Sequence, residues 1–207
     1  TLWVAWALPR LPPVAQPADA LPPSRDAFLP LLGIASLGWI GLAFLEGTFG
    51  RLLERTLGLG RLEFGLILGL DGLAAILMGV AFPTLARRLS VTALLRGAFL
   101  AQAAGLAAIP FARPLAVLVA VNALYGLGVG LATPAINAIV SRDTPADRQG
   151  ALFGRLQSAR SVGFLIGPVA GGALFDLAYP LPYLLAGALA LAAASVRLAP
   201  RPAGATP

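Results

Sequence analysis

The sequence contains no cysteine, no histidine and no lysine. Without cysteine there are no disulfides and no thiol nucleophiles. Without either cysteine or histidine the common metal sites and the imidazole proton shuttle are excluded. Charge is also scarce. Only 12% of the 207 residues are charged, against about a quarter in ordinary soluble domains. No Walker-type phosphate loop, His-Glu-x-x-His or Gly-x-Ser-x-Gly motif and no re-entrant filter sequence occurs. An ATP-driven motor, a hydrolase and an ion channel therefore lack support, and no catalytic residue, metal or cofactor is expected.

What is abundant is apolar surface: 58% of the residues are hydrophobic. The few charges cluster between long apolar runs, which is the pattern a bilayer imposes. The net charge of +6 does not point to nucleic acid, because the arginines flank apolar spans instead of lining one face. The all-arginine basic set suits GC-rich coding and a bacterial inner membrane.

Residues 1–8 are apolar and stop at Pro9. Eight helical residues cover about 12 Å, short of the ~30 Å hydrocarbon core. They read as the end of a preceding helix, and the chain as a fragment. Residues 9–27, with six prolines, read as an extended cytoplasmic linker. Residues 28–198 then form an all-α bundle of six transmembrane helices. Their expected cores are 28–49, 64–86, 91–112, 114–141, 151–175 and 183–196, followed by a tail over 199–207. Runs of ~20 residues rich in Leu and Ala favour helices over barrel strands. Eleven arginines fall at one set of span ends and four at the other. The excess puts the linker and the C-terminus in the cytoplasm.

Glu46 and Asp71 are the acidic residues inside spans. A charged side chain at mid-membrane costs about 2.5–3.5 kcal/mol on insertion scales. A carboxylate retained there is a candidate for binding and releasing a proton, although Glu46 could instead reach interfacial water and pair with Arg51. In the fourth span Asn122, Thr133 and Asn137 fall within about 60° of one another at 100° per residue. With Tyr125 they are candidates for lining a substrate cavity. Gln102 and Gln157 are weaker candidates, and each could equally bridge helices. Trp39 could line a cavity or face lipid, and lipid or packing is the expected role. Arg155 and Arg160 are expected to snorkel to the cytoplasmic interface.

In the fifth span Gly163, Gly167 and Gly171 recur every four residues, so they share one helix face and allow close approach. Pro168 removes a backbone hydrogen bond and bends that helix. The run Gly163-Phe-Leu-Ile-Gly167-Pro168-Val-Ala-Gly171-Gly172 resembles the antiporter motif of the major facilitator superfamily. Tyr125-Gly-Leu-Gly-Val-Gly-Leu-Ala-Thr133-Pro134 resembles that family's glycine-rich fourth or tenth helix. Thr144-Pro-Ala-Asp-Arg-Gln-Gly150 with Phe153-Gly154 resembles its next cytoplasmic loop. The likeness is densest over residues 120–176.

The resemblance implies a twelve-helix carrier of two similar halves, of which this would be the C-terminal one. The N-terminal half would be a missing partner within the same chain. It further implies proton-coupled efflux of a small molecule by alternating access, with the glycine face as a rocking or sealing interface. A metabolite uptake carrier and a non-transporting six-span subunit are the alternatives.

Overall fold

The computed structural model describes residues 25–144 and 146–196. The apolar stub, most of the proline-rich linker and the 199–207 tail lie outside the described residues.

Six α-helices run in order: α1 (Arg25–Leu57), α2 (Arg61–Ala86), α3 (Val91–Ala108), α4 (Leu115–Asp143), α5 (Ala146–Leu177) and α6 (Leu181–Ser195). No strand occurs among the described residues. Five of the helices are long and apolar enough to cross a membrane; α6 is apolar but has 15 residues. The six-helix bundle expected from hydropathy is therefore present.

The boundaries differ from the hydropathy reading. Helix α1 continues two turns past Phe49, so Arg51, Glu54 and Arg55 are helical and not in a loop. Helix α5 begins at Ala146, more than a turn before the apolar run. Hydropathy marks where the apolar environment ends. The backbone hydrogen-bond ladder continues into the polar zone, where Arg, Glu and Gln are all good helix formers.

Sharp local signals set several ends. The Ser90 side chain accepts a hydrogen bond from the Ala93 amide at 3.2 Å, capping α3, a use that suits serine at an N-cap. The Gly60 amide donates to Glu63 Oε2 at 2.9 Å at the start of α2. At the end of α3 the chain tightens into a 3₁₀ turn, Ile109–Phe111, around Pro110. Gly58, between α1 and α2, has φ +65°. There an L-side chain strains the backbone by roughly 1–2 kcal/mol. Gly58→Ala is expected to lower thermal stability in detergent by that amount, since no atom lies within 4 Å of the added methyl to compensate.

Helix α4 packs against α2 and α3, α1 against α5 and α6, and α3 against α6. The core lies between α1, α3, α4 and α6, in two clusters. One contains Ile34, Phe99, Ile136 and Ala190. The other contains Phe49, Leu106, Tyr125 and Tyr183. By contrast, α2 and α5 flank the bundle and leave apolar side chains outward, among them Leu66, Ile76 and Val80 on α2 and Leu165 and Val169 on α5. In water such surfaces would be a liability; in a bilayer they are its solvent-facing side.

Candidate functional site

Glycines set how closely the flanking helices approach. On α4, Gly126 and Gly130 share a face and turn toward α2. A Cβ at Gly126 would collide with the Asp71 carboxylate, and one at Gly130 with the carbonyl oxygen of Ala75. Gly128 turns to the other side, where a Cβ would lie 2.6 Å from the Ala98 carbonyl of α3. On α5, Gly163 lies against Trp39 and Ile40, Gly167 against Ala43 and Gly171 against Phe44, all on α1. Pro168 meets the same helix at Gly47, where a Cβ would come within 2.8 Å of the proline Cα. Gly172 lies off this seam; its nearest added-Cβ neighbour is Arg51 Nη1, at 4.0 Å. Small residues thus permit backbone-to-backbone packing at both seams.

Between α1, α3 and α4 a half-open cleft is lined by apolar residues with Trp39, Gln102, Tyr125 and Thr133. An apolar cavity with a few polar groups is the usual form of a small-molecule site. Of the sequence candidates, Tyr125 and Thr133 are brought to it. Asn122 is buried, while Asn137 and Gln157 are exposed and do not line the cleft. The stripe on α4 therefore does not act as one surface: its lower end is packed and its upper end open. Gln102, buried on α3, lines the cleft. Trp39 also lines it, the alternative to facing lipid or packing.

Glu46 lies on the stripe of α1 that bears Trp39 and Leu42. At 100° per residue the three fall within about 60°. Glu46 is exposed in the bundle, whereas Asp71 is half-buried. The two carboxylates are close enough to act on each other electrostatically, and both act on Tyr125. Asp71 Oδ1, both polar atoms of Asn122 and the Tyr125 hydroxyl are buried without a hydrogen-bond partner among the described residues. Asn122 is one helical turn before Gly126, where the Asp71 carboxylate sits, and Tyr125 is adjacent to it. Buried polar groups are nearly always paired, so this unspent capacity within one turn of α4 stands out. Tyr183 provides the contrast: its hydroxyl accepts from Thr48 Oγ1 at 3.0 Å.

Two arginines find partners on other helices. Arg51 pairs with Asp176 at the end of α5, not with Glu46. The reason is angular: residues five apart on a helix point about 140° away from each other. Arg160 meets a ring on another helix. It sits near the middle of α5 with its guanidinium carbon 4.2 Å from the centre of the Trp39 ring, and its charge acts on Glu46. An arginine early in an apolar run carries no sign of the ring that receives it.

Residues 30–207 match the sequence profile of the Major Facilitator Superfamily. The chain belongs to that superfamily. An uncharacterised MFS-type transporter of Mycobacterium tuberculosis is 42% identical over 59 residues, which is 28% of this chain and 10% of that protein. The quinolone resistance protein NorA of Staphylococcus aureus is 26% identical over 77 residues, 37% of this chain and 20% of NorA. These matches thus span a tenth to a fifth of the length of the curated relatives. Membership in the Major Facilitator Superfamily, with the apolar helices, makes this a multi-pass membrane protein of a carrier family with drug-antiporter-like relatives. Its chemistry is that of carriers and not of enzymes.

Proposed function

We propose that the chain is the C-terminal six-helix half of a proton-coupled efflux carrier for a small amphiphilic molecule, with its C-terminus in the cytoplasm. What supports this reading is that Asp71 lies against Gly126, next to Tyr125 of the cleft, and that Glu46 is one helical turn from Leu42 of the cleft. Carboxylates retained inside spans typically mark ion or proton routes. In this reading Asp71 and Glu46 exchange protons. Tyr125 and Thr133 contact the substrate in the cleft, while Asn122, also on α4, lies one turn from Gly126, against which Asp71 of α2 packs. Asn137 and Gln157 sit on the open side, where a second bundle would complete the cavity. The N-terminal half of the same carrier would supply that bundle. The bundles rock about the midplane, and the Gly163–Gly167–Gly171 seam with Pro168 lets α5 and α1 move as one tightly packed pair. The name of the staphylococcal relative favours export of a drug-like molecule over metabolite uptake. The excess of arginine at the α2–α3 and α4–α5 ends favours the stated orientation.

Dye accumulation in a drug-sensitive bacterial host tests the reading. Cells expressing the intact protein are expected to hold less of at least one amphiphilic dye than control cells, with the difference removed by a protonophore. Equal accumulation across a chemically varied dye panel would count against efflux. A deficit that survives the protonophore would count against proton coupling.

A further inference from the structure

Arg160 is a permanent cation near the middle of a membrane-spanning helix. Such a charge usually finds a carboxylate. Arg160 has the Glu46 carboxylate within electrostatic reach but forms no close ion pair with it. Its contacts are two aromatic rings. The guanidinium carbon lies 4.2 Å from the Trp39 centroid and 5.4 Å from that of Phe164. The rings are 6.3 Å apart and inclined at 45°, so the cation sits in the angle between them. Phe164 is one turn along α5 from Arg160. Trp39 is brought across from α1 by Gly163, whose added Cβ would lie 3.6 Å from the Trp39 and Ile40 backbones. Glu46, two turns along α1 from Trp39, supplies a nearby negative charge.

Two aromatic faces and a carboxylate are the usual elements of a site for an organic cation. Trp39 is at the same time a wall of the cleft. Trp39 is therefore shared between this corner and the cleft, and the side chain that fills the corner belongs to the protein.

We propose that Arg160 is a built-in competitor, a tethered cation that occupies the Trp39–Phe164 corner until a substrate's cationic group displaces it. The guanidinium is held by two ring faces and the field of Glu46, without a close ion pair, so it can swing away on its flexible stem. A cation entering the cleft then takes over the Trp39 face and the field of Glu46. Arg160 in this role discriminates among ligands: weakly binding cations fail to displace it, whereas larger aromatic cations succeed. The proposal rests on the cleft being a substrate route. Its test uses binding without a proton gradient, so a failure of proton coupling leaves the result readable.

Binding of tetraphenylphosphonium, a lipophilic organic cation, is measured by calorimetry on the intact protein in lipid nanodiscs. Arg160→Gln is expected to tighten binding about fivefold or more, the value of one cation–π contact no longer contested. Arg160→Lys keeps the charge but loses the planar stacking, and is expected to fall between the two. It also serves if the glutamine variant fails to fold. Trp39→Leu is expected to weaken binding in both the native and the Arg160→Gln backgrounds. Unchanged or weaker cation binding in Arg160→Gln, or in Arg160→Lys if only that variant folds, would overturn the proposal. So would a loss of tetraphenylborate binding in Arg160→Gln with no change for the cation, which would make Arg160 an anion site.

Discussion

Asp71→Asn is expected to abolish gradient-driven transport while leaving the bundle assembled. The substitution is nearly isosteric, and the amide fits where the carboxylate now lies against Gly126. It removes the one function an amide cannot perform, which is to take up and release a proton. The group's surroundings make that function specific. Asp71 Oδ1 is buried without a partner, and so are the Tyr125 hydroxyl and the Asn122 amide on the facing helix. A proton on Asp71 would make one of its oxygens a donor, where the ionised carboxylate can only accept. Gradient-driven transport by Asp71→Asn is expected at least about a hundredfold below the native protein, on the scale of removing an essential proton-transfer group. Substrate exchange without a gradient is expected to persist. Equal gradient-driven rates in the two proteins would remove Asp71 from the mechanism. Glu46→Gln is expected to have the smaller effect, because Glu46 is exposed and has Arg160 nearby.

Gly130→Ala is expected to destabilise the bundle by about 1–3 kcal/mol, the usual cost of overpacking. The added methyl would meet the Ala75 carbonyl, with Ala75 Cα 2.6 Å away. These are backbone atoms and cannot rotate aside, so α2 itself must move. Helix α2 has few other attachments, for its contacts with α1 and α3 are slight beside those with α4. Unseating it would also carry Asp71 away from Gly126. The control lies on α2. Gly69 and Gly72 are exposed and have no atom within 4 Å of an added Cβ. Their replacement by alanine should be neutral or stabilising by up to about 1 kcal/mol through helix propensity. Thermal unfolding in detergent separates the two outcomes. Equal melting temperatures for the Gly130 and Gly72 variants would contradict the packing described.

Much of this arrangement is legible in the sequence. Six apolar runs give six helices, and the glycine spacing gives the face by which α5 meets α1. What hydropathy cannot supply is the angular position of polar residues relative to neighbouring helices. Asn122 and Asn137 share a stripe by arithmetic, yet one is buried and the other exposed, because the flanking helix covers only part of α4. The pairing of Arg51 follows the same logic. Helical geometry excludes Glu46 as its partner, but only the fold identifies Asp176. The stacking of Arg160 on a tryptophan of another helix leaves no periodic trace in the sequence.

The central claim is that Glu46 and Asp71 exchange protons for substrate. The direct measurement uses the intact protein in proteoliposomes, with an imposed pH gradient and the membrane potential clamped, and follows a dye found to be exported by cells. Native protein is expected to drive dye movement against its concentration gradient until a protonophore is added, and the Glu46→Gln/Asp71→Asn double variant to show only downhill movement. Uphill transport by the double variant would contradict the account.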